Sequence, residues 1–459
     1  MPTNPDVTVS RLPGKQGRSA PSPHTSPALT LAAALLGFAL ITLDTSVVNV
    51  ALPSIGSALG GGMSGLQWVV DAYTLAFAAL MLSTGAFSDR AGASRAYAIG
   101  IALFTLASAV CGLAPNLPVL IASRVVQGVA AAVVLPASLA LVRQAYTDAA
   151  RRARAVATWA AGGSVAIALG PVAGGALTTA WGWRWIFFIN LPLGAVALVL
   201  LLRAPRSERR PAALDLPGQL TAVVALTALT FSVIEGGTIG LIALAVTVPA
   251  VIAFLWTERR QAHPVVPLGL FRNRTVSVAV AAGAACSIAF YGVVFLFSLF
   301  FQQVQGHSAL YAGLMFLPMT GLIAVTNVLA GRVAGRFGPR LPMLIGQLLA
   351  VAGLLILLYA DAGTPPVLLA FLLVPLALGC ALAIPPLTAA MMDAVPGERA
   401  GLAAGVLNAA RQVAGGLGIA VFGALVSDGF EAGMRVSLAL SATALTLTAT
   451  ATWRMRAAG

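Results

Sequence analysis

Charged residues are scarce in this sequence of 459 residues. Asp, Glu, Lys and Arg together make up only 9% of it, whereas 59% of the residues are hydrophobic and the mean hydropathy is +0.93. In an ordinary soluble protein about a quarter of the residues are charged. The composition therefore excludes a soluble protein and predicts one that lies largely within a membrane.

Cysteine and histidine are also rare. The three cysteines, Cys111, Cys286 and Cys380, lie in apolar runs without metal-ligand spacing, and the three histidines lie in the tail or in loops. A zinc site or a disulfide framework needs clusters of these residues. We therefore expect neither a metal nor another cofactor. A membrane-embedded enzyme, which would need such a cluster, is a distant alternative.

Long apolar runs dominate what is present. A membrane-spanning helix needs about 20 mostly apolar residues, and the sequence contains 14 such runs between residues 28 and 453. The connections between them average roughly 12 residues, which is too short for a domain outside the membrane. The sequence thus predicts an all-helical polytopic membrane protein whose function lies inside the bilayer.

The net charge of +13 is of the kind seen in nucleic-acid-binding proteins, but its placement indicates membrane topology instead. All 27 Lys and Arg residues except Arg124, Arg184, Arg411 and Arg435 fall near the termini or in alternate connections, on one side of a 14-helix arrangement. Cytoplasmic loops are enriched in Lys and Arg. We predict a multi-pass protein of a bacterial inner membrane, with both termini in the cytoplasm and no nucleic-acid partner.

The two halves of the chain repeat short stretches. Residues 85–92 and 331–338 share Gly, Arg and Gly at identical spacing, and Val-Ala-Gly-Gly occurs at 172–175 and at 413–416. Both offsets exceed the length of six spans by about the length of two more. Internal repeats are typical of transporters that rock around a central site, and these predict two six-helix bundles with two inserted helices.

The predicted domain boundaries follow from this arrangement. The first residues are rich in proline and lack an apolar run, which is typical of a disordered segment. We expect a disordered cytoplasmic tail at 1–27, a first bundle at 28–203, a linker with the two extra helices at 204–275, a second bundle at 276–453 and a cytoplasmic tail at 454–459.

Few ionisable side chains lie inside the apolar runs, and each is a candidate functional residue. Placing such a group in hydrocarbon costs about 2.5 to 3.5 kcal/mol on insertion scales. Asp44, Asp71 and Arg124 fall in the outer half of the first bundle, and Gln127 follows Arg124 by one helical turn. We predict that the arginine offsets the burial of the acids and that Asp44, the deepest, binds a proton reversibly. A structural ion pair that only locks helices together is the alternative.

Two further charged residues each allow two interpretations. Glu235 ends an apolar run just before two glycines. It is either a solvated carboxylate at the membrane interface or a proton-relay group. Arg411 lies about three turns into its run beside Asn408 and Gln412. It either packs helices together or lines a substrate pathway.

The connection after the second run combines an acid and two bases in a tight turn. It contains Gly85, Asp89, Arg90, Gly92 and Arg95. An acidic side chain there can interact with the positive N-terminal end of a neighbouring helix. We predict that this connection acts as a gating latch.

The fifth run contains a small-residue face with a proline, made of Gly170, Pro171, Gly174 and Gly175. Faces of this kind allow helices to pack closely.

Taken together, these stretches resemble the major facilitator superfamily, and specifically its 14-span drug:proton antiporters. Residues 43–53 (LDTSVVNVALP) are similar to the first-span signature, 85–95 to the cytoplasmic gating motif, 124–128 (RVVQG) to the proton-coupling motif and 170–175 (GPVAGG) to the motif that marks exporters. Residues 68–73 (WVVDAY) look most like the methylenomycin A resistance and quaternary-ammonium exporters.

The resemblance implies a proton-coupled exporter of a lipophilic drug or antibiotic that works by alternating access. It implies proton-coupling roles for Asp44, Asp71, Arg124 and Gln127, and a monomer whose partners are its substrate, protons and the lipid bilayer. A proton-linked importer, or an exporter of another small metabolite, is the alternative, and the exporter motif disfavours import.

The substrate pocket is expected between the two bundles near the middle of the membrane. An aromatic run in the ninth span is a candidate part of its lining, although such a run also suits a lipid-facing or packed helix surface. The candidate lining residues are Asn49, Phe290, Tyr291, Phe295, Phe297, Asn408 and Arg411.

Overall fold

The structure is a computed structural model, and the residues it describes are almost entirely helical, with no strand among them. These residues are 26–204, 207, 209, 215–261, 264–396 and 399–455. The predicted tail at 1–27 and the end of the chain at 456–459 therefore lie outside the described residues, except for the residues that begin the first helix.

The first bundle is built from the long apolar runs of the N-terminal half. Polar side chains begin several of its helices: Ser26 accepts a hydrogen bond from the Leu29 amide, and Asn116 and Asp148 cap two later helices in the same way, as expected at helix N-termini. Its helices are α1 (Pro27–Leu59), α2 (Gly62–Ala91), α3 (Ala93–Leu113), α4 (Leu117–Ala145), α5 (Ala149–Trp181), α6 (Trp185–Phe188) and α7 (Asn190–Leu201).

Two helices follow as an inserted pair, α8 (Leu216–Glu235) and α9 (Gly237–Arg260). A sharp turn joins them, and both Gly236 and Gly237 have positive φ angles there, which residues with a Cβ rarely adopt. The two helices pack against each other, and α8 also contacts α2 of the first bundle.

The second bundle begins after a 3-10 turn at Leu268–Arg272. Its first helix continues into a π-helical turn at Phe300–Val304. Its helices are α10 (Arg274–Leu299), α11 (Ala309–Met315), α12 (Leu317–Gly321), α13 (Ile323–Phe337), α14 (Arg340–Leu357), α15 (Pro366–Leu372), α16 (Val374–Asp393), α17 (Ala400–Val426) and α18 (Phe430–Trp453).

Three predicted spans are broken into shorter helices just before a proline. The breaks at Ile189, Phe316 and Leu373 precede Pro192, Pro318 and Pro375 by two or three residues. Proline lacks a backbone N–H and its ring crowds the preceding turn, so a regular helix is interrupted there. The predicted sixth span is therefore α6 with α7, the tenth is α11 to α13, and the twelfth is α15 with α16.

The number of spans is consistent with the prediction of 14. Twelve helical stretches of the described residues are long and apolar enough to cross a membrane. The two segments of α2, Gly62–Met81 and Ser83–Ala91, make a thirteenth when taken together, and Trp185–Leu201 is a shorter apolar stretch at the predicted sixth span. The predicted all-helical fold is confirmed.

The helix ends define two faces of the molecule. The connections α2–α3, α4–α5 and α13–α14 carry the arginines and lie at what we call the arginine-rich end. The connections α1–α2, α3–α4 and α5–α6 lie at the opposite, arginine-poor end.

The two bundles meet where α1 packs against α10 and α11, α2 against α17, and α5 against α11, α12 and α13. Among the described residues, the hydrogen bonds that join the bundles lie in the arginine-poor half. They run from Gln67 to the carbonyls of Ile419 and Ala420, from Ser298 and Gln302 to those of Asn49 and Val50, from the Leu310 amide to Thr179, and from Thr320 to the carbonyl of Ala168. The structure is thus closed at the arginine-poor end.

Candidate functional site

A buried ion pair joins α1 and α4 in the first bundle. Asp44 and Arg124 are each 1% exposed, and Nη1 of Arg124 donates to Oδ2 of Asp44. Gln127 lies one turn beyond Arg124, where its Oε1 accepts from Nη1 of Arg124 at 3.0 Å and its Nε2 donates to Oδ1 of Asp44 at 3.4 Å. Three of the four residues predicted for proton coupling therefore lie together.

Close packing of α2 against α4 positions the arginine. A Cβ on Gly128 would lie 2.4 Å from the Tyr73 carbonyl oxygen, so only glycine allows this approach. Nε of Arg124 donates to the Val69 carbonyl at 3.0 Å, and its guanidinium carbon lies 4.3 Å from the centre of the Tyr73 ring. An arginine over an aromatic face gains a cation–π interaction, and the Tyr73 ring therefore helps to hold the charge.

Two polar residues that were not predicted as site residues complete this cluster. Asn190, at the start of α7, donates to Oδ1 of Asp44 at 2.9 Å and to the Ser108 hydroxyl at 3.3 Å. Ser108 of α3 also accepts from Nε2 of Gln127 at 2.7 Å. Asp44 thus accepts three hydrogen bonds, which satisfy its ionised form. In the sequence, each of the two is a polar residue inside an apolar run.

Asp71, the fourth residue predicted for proton coupling, does not join this cluster. It is fully buried, and neither of its carboxylate oxygens has a hydrogen-bond partner among the described residues. It faces α17 of the second bundle, where a Cβ on Gly416 would lie 3.2 Å from its Oδ1. The sequence prediction that one arginine serves both acids is therefore correct for Asp44 and wrong for Asp71, because Asp71 points across the bundle interface.

A central cavity lies between the bundles. One wall is a face of α1 with Thr42, Thr45, Ser46 and Asn49, and another is α10 with Phe290, Tyr291 and Val294. Pro171 of α5 and Gln412 of α17 also line it, and its volume is about 70 Å³. The buried amide oxygen of Asn49 has no hydrogen-bond partner among the described residues, so it can accept a hydrogen bond from a bound molecule.

The structure corrects part of the predicted aromatic lining. A second cavity adjoins the central one and shares Phe290 and Tyr291 with it. Phe295 and Phe297 are fully buried and line neither of these two cavities. Phe295 packs in an apolar cluster with residues of α1 and α2, and Phe297 packs against Phe300 and Phe301. Of the four aromatic residues, Phe290 and Tyr291 face a cavity.

Of the two polar residues predicted on α17, Arg411 lines the adjoining cavity. Asn408 accepts a hydrogen bond from Nη1 of Arg411 at 3.3 Å and lines neither of these two cavities.

The glycines of α5 pack this helix against two partners. A Cβ on Gly170 or Gly174 would clash with Ser46 or the Val47 carbonyl of α1. A Cβ on Gly175 would lie 2.4 Å from the Ala309 carbonyl of α11, and Gly313 of α11 approaches the Pro171 carbonyl as closely from the other side. The small-residue face therefore serves both the first bundle and the contact between bundles.

The predicted latch is exposed at the arginine-rich end. Asp89, Arg90 and Arg95 are exposed, and Asp89 has no hydrogen bond or ion pair with the described residues. Gly92 has a φ of 87° between α2 and α3, where it allows the tight turn. Gly85, earlier in α2, borders a cavity with Asp89.

Glu235 and nearby side chains join the inserted pair to the first bundle. Its carboxylate, which is exposed, accepts hydrogen bonds from Ser64 at 2.9 Å and from the Trp68 indole at 2.8 Å. Gln219, at the other end of α8, bonds Ser83 and the Ala79 carbonyl of α2. Glu235 is thus an exposed carboxylate that joins the end of α8 to α2.

Known proteins that match this chain over most of its length are transporters and resistance proteins. The Major Facilitator Superfamily profile matches residues 34–419. The chain is 40% identical over 410 residues to the multidrug resistance protein Stp of Mycobacterium tuberculosis, covering 87% of this chain and 76% of that protein. It is 35% identical over 456 residues to the methylenomycin A resistance protein of Streptomyces coelicolor, covering 97% of this chain and 95% of that protein.

Solved transporter structures share the fold. A D-xylose–proton symporter matches with a TM-score of 0.69 at 18% identity, covering 94% of this chain and 98% of that one. A bacterial homologue of the human lysosomal transporter Spinster matches with a TM-score of 0.67 at 16% identity, covering 95% of this chain and 97% of that one. The predicted likeness to drug:proton antiporters is confirmed, and this chain is a multi-pass membrane protein that belongs to the major facilitator superfamily.

Proposed function

We propose that this protein is a proton-driven antiporter that exports lipophilic antibiotics or other drug-like molecules by alternating access. One observation carries the proposal: a single helix, α1, carries Asp44 of the buried Asp44–Arg124 pair and also lines the central cavity through Thr45 and Asn49. A change in the protonation of Asp44 therefore reaches the cavity through one rigid element. Transport without chemical change of the substrate is the proposed activity.

Protonation of Asp44 would act through Arg124. The ionised carboxylate is matched by the guanidinium and by the amides of Gln127 and Asn190. Adding a proton removes the charge that holds Arg124 and leaves a buried cation without a counter-ion, which is unfavourable. The pair then separates, and α1 shifts relative to α4, which changes the wall of the cavity.

The proposed direction is export. The relatives named above are a multidrug resistance protein and a methylenomycin A resistance protein, and resistance of this kind is consistent with removal of the compound from the cell. The packing of Gly170 to Gly175 against both bundles supports a role for this motif in the exchange between states.

We propose the following membrane arrangement. The arginine-rich end faces the cytoplasm of a bacterium, because Lys and Arg are retained on that side of inner membranes. Residues 28–203 and 276–453 then act as the two moving bundles, with 204–275 between them. The protein works as a monomer, since both bundles and both cavities belong to one chain.

Inside-out membrane vesicles test the proposal. With methylenomycin A as the probe, the wild-type protein should accumulate the compound when an inward-acid proton gradient is imposed, and Asp44→Asn should abolish this accumulation while the protein remains inserted. Asp428→Asn, which changes an exposed acid, is the matched control and should transport normally. Gradient-driven accumulation by Asp44→Asn at the wild-type rate would show that Asp44 does not couple protons to transport.

A further inference from the structure

A second cavity adjoins the central one, and it contains an arginine without an acidic partner. Its volume is about 230 Å³, and it shares Ile167, Phe290 and Tyr291 with the central cavity. Arg411 of α17 lines it, whereas neither cavity is lined by an Asp or Glu. Within the part of the chain that the structure describes, Arg411 forms no salt bridge.

The guanidinium of Arg411 has one edge free. Its Nη1 donates to Asn408 Oδ1 at 3.3 Å, whereas Nε is buried and has no partner among the described residues. Nη2 likewise has no hydrogen bond within them. The Nε–Nη2 edge carries two parallel N–H groups, the geometry that binds a carboxylate in a bidentate manner.

The packing around Arg411 fits a binding role. A Cβ on Gly283 of α10 would lie 3.2 to 3.3 Å from the Cγ and Cδ atoms of Arg411, so the absence of a side chain there gives the arginine stem room.

A second unpartnered polar group lines the same cavity. Ser287 of α10 is 2% exposed, and its Oγ has no hydrogen-bond partner among the described residues. A buried polar group without a partner is unfavourable, so a ligand that bonds to it is favoured. The Ser287 hydroxyl and the Arg411 edge are both donors, and an acceptor group satisfies both.

We propose that this cavity selects lipophilic monoanions, with the carboxylate or a comparable anionic group on the free edge of Arg411 and the Ser287 hydroxyl. The rings of Phe290 and Tyr291, shared by both cavities, provide an apolar surface for the body of the molecule. A cationic compound meets a positive charge with no lining acid to offset it, and it binds more weakly. This inference rests on the proposed function and adds the charge class of the exported compound.

Three fluorescent probes with one dansyl ring system test the inference on the purified protein in nanodiscs. Dansylglycine carries a carboxylate, dansylamide is neutral and dansylcadaverine carries an ammonium group. We expect dansylglycine to bind at least about tenfold more tightly than dansylamide, as a charge-assisted hydrogen bond allows, and dansylcadaverine to bind most weakly.

Three variants assign the preference to the cavity. Arg411→Gln should bring dansylglycine to the affinity of dansylamide and leave dansylamide unchanged within about twofold, whereas Arg411→Lys should keep part of the preference. Ser287→Ala should weaken dansylglycine several-fold more than dansylamide. Arg435→Gln, which changes an exposed arginine of α18, is the control and should change none of the three affinities.

The inference is overturned if the wild-type protein binds dansylcadaverine as tightly as dansylglycine, fails to bind dansylglycine, or keeps its preference in Arg411→Gln. The wild-type order of affinities and Ser287→Ala decide the matter even if Arg411→Gln does not fold. These binding measurements need no proton gradient. Failure of methylenomycin A export in vesicles is therefore a separate result, which concerns the proposed function and not the charge preference.

Discussion

At the scale of single residues, the two buried acids of the first bundle have opposite surroundings. Asp44 accepts hydrogen bonds from Arg124, Gln127 and Asn190, whereas Asp71 has no partner among the described residues and lies against Gly416 of the other bundle. An ionised carboxylate without donors is strongly unfavourable in a nonpolar environment. We infer that Asp71 carries a proton whenever the arginine-poor end is closed.

This inference predicts that raising the pH opens the arginine-poor end, because ionised Asp71 cannot remain against α17. Spin labels at Ala180→Cys and Gly363→Cys, exposed positions of the two bundles at that end, should move apart as the pH rises. Asp71→Asn keeps the shape of the neutral acid and should abolish this dependence, whereas Thr74→Val on the same face should keep it. Equal pH dependence with and without Asp71 would contradict the inference.

The sequence predicted the residues of the ion pair but not all of its surroundings. Asp44 and Arg124 could be predicted as site residues because a charge inside an apolar run is costly. Gln127 could be predicted because it follows Arg124 by one helical turn. The contributions of Ser108 and Asn190 depend on how α3 and α7 rotate against α1, and a sequence does not state this rotation. The same limit explains why the predicted pairing of Asp71 with Arg124 was wrong.

At the scale of elements, the geometry of α10 separates the aromatic residues that face a cavity from those that do not. An α-helix turns about 100° and rises about 1.5 Å per residue. Phe295 is therefore rotated by about 140° from Phe290. Phe297 lies on nearly the same face as Phe290 but about 10 Å further along the helix, where α10 is packed and not open. The apolar run at 276–301 predicted the helix α10. It did not predict the position along α10 at which the cavity ends.

The contact between α5 and α11 gives a prediction at this scale. A Cβ on Gly175 would meet backbone atoms of Ala309 and Leu310, which cannot move aside as a flexible side chain does. Gly175→Ala should therefore disfavour closure at the arginine-poor end and reduce export several-fold. The spin-label distance between positions 180 and 363 should increase.

Gly331→Ala in α13 is the matched control, because a Cβ there would have no neighbour within 4 Å. It should leave both the distance and export unchanged. An unaltered distance in Gly175→Ala would mean that α5 and α11 can separate slightly without opening the bundles.

At the scale of the whole molecule, hydrogen bonds between the described residues join the two bundles at one end. The hydrogen bonds between bundles lie in the arginine-poor half, and Asp89 at the other end is exposed. We predict that the latch forms only when the arginine-rich end closes, and an exposed Asp89 agrees with this prediction. The predicted fold and family are confirmed. They could be predicted from the sequence because 14 apolar runs and their repeated motifs restrict the architecture strongly. Which end of the transporter is closed could not be predicted, because one sequence adopts all the states of the transport cycle.

Asp89→Asn should shift the protein toward the state described here, because it removes the charge that favours closure at the arginine-rich end. Spin labels at Ala150→Cys and Gly335→Cys, both exposed there, should lose their short-distance population, and export should fall several-fold. Asp393→Asn, another exposed acid at that end, should do neither. Lost export with an unchanged distance distribution would assign Asp89 a role other than gating.

The attachment of the inserted pair has a consequence for the motion itself. The hydrogen bonds that α8 makes to the bundles through Glu235 and Gln219 all go to α2, and within the described residues none goes to α17, although α8 touches both helices. We therefore expect α8 and α9 to travel with the first bundle and to slide over the second when the bundles separate. The moving bodies are then eight predicted spans, formed by α1 to α9, against six, formed by α10 to α18, and we expect the larger body to displace more lipid than the smaller one in each cycle.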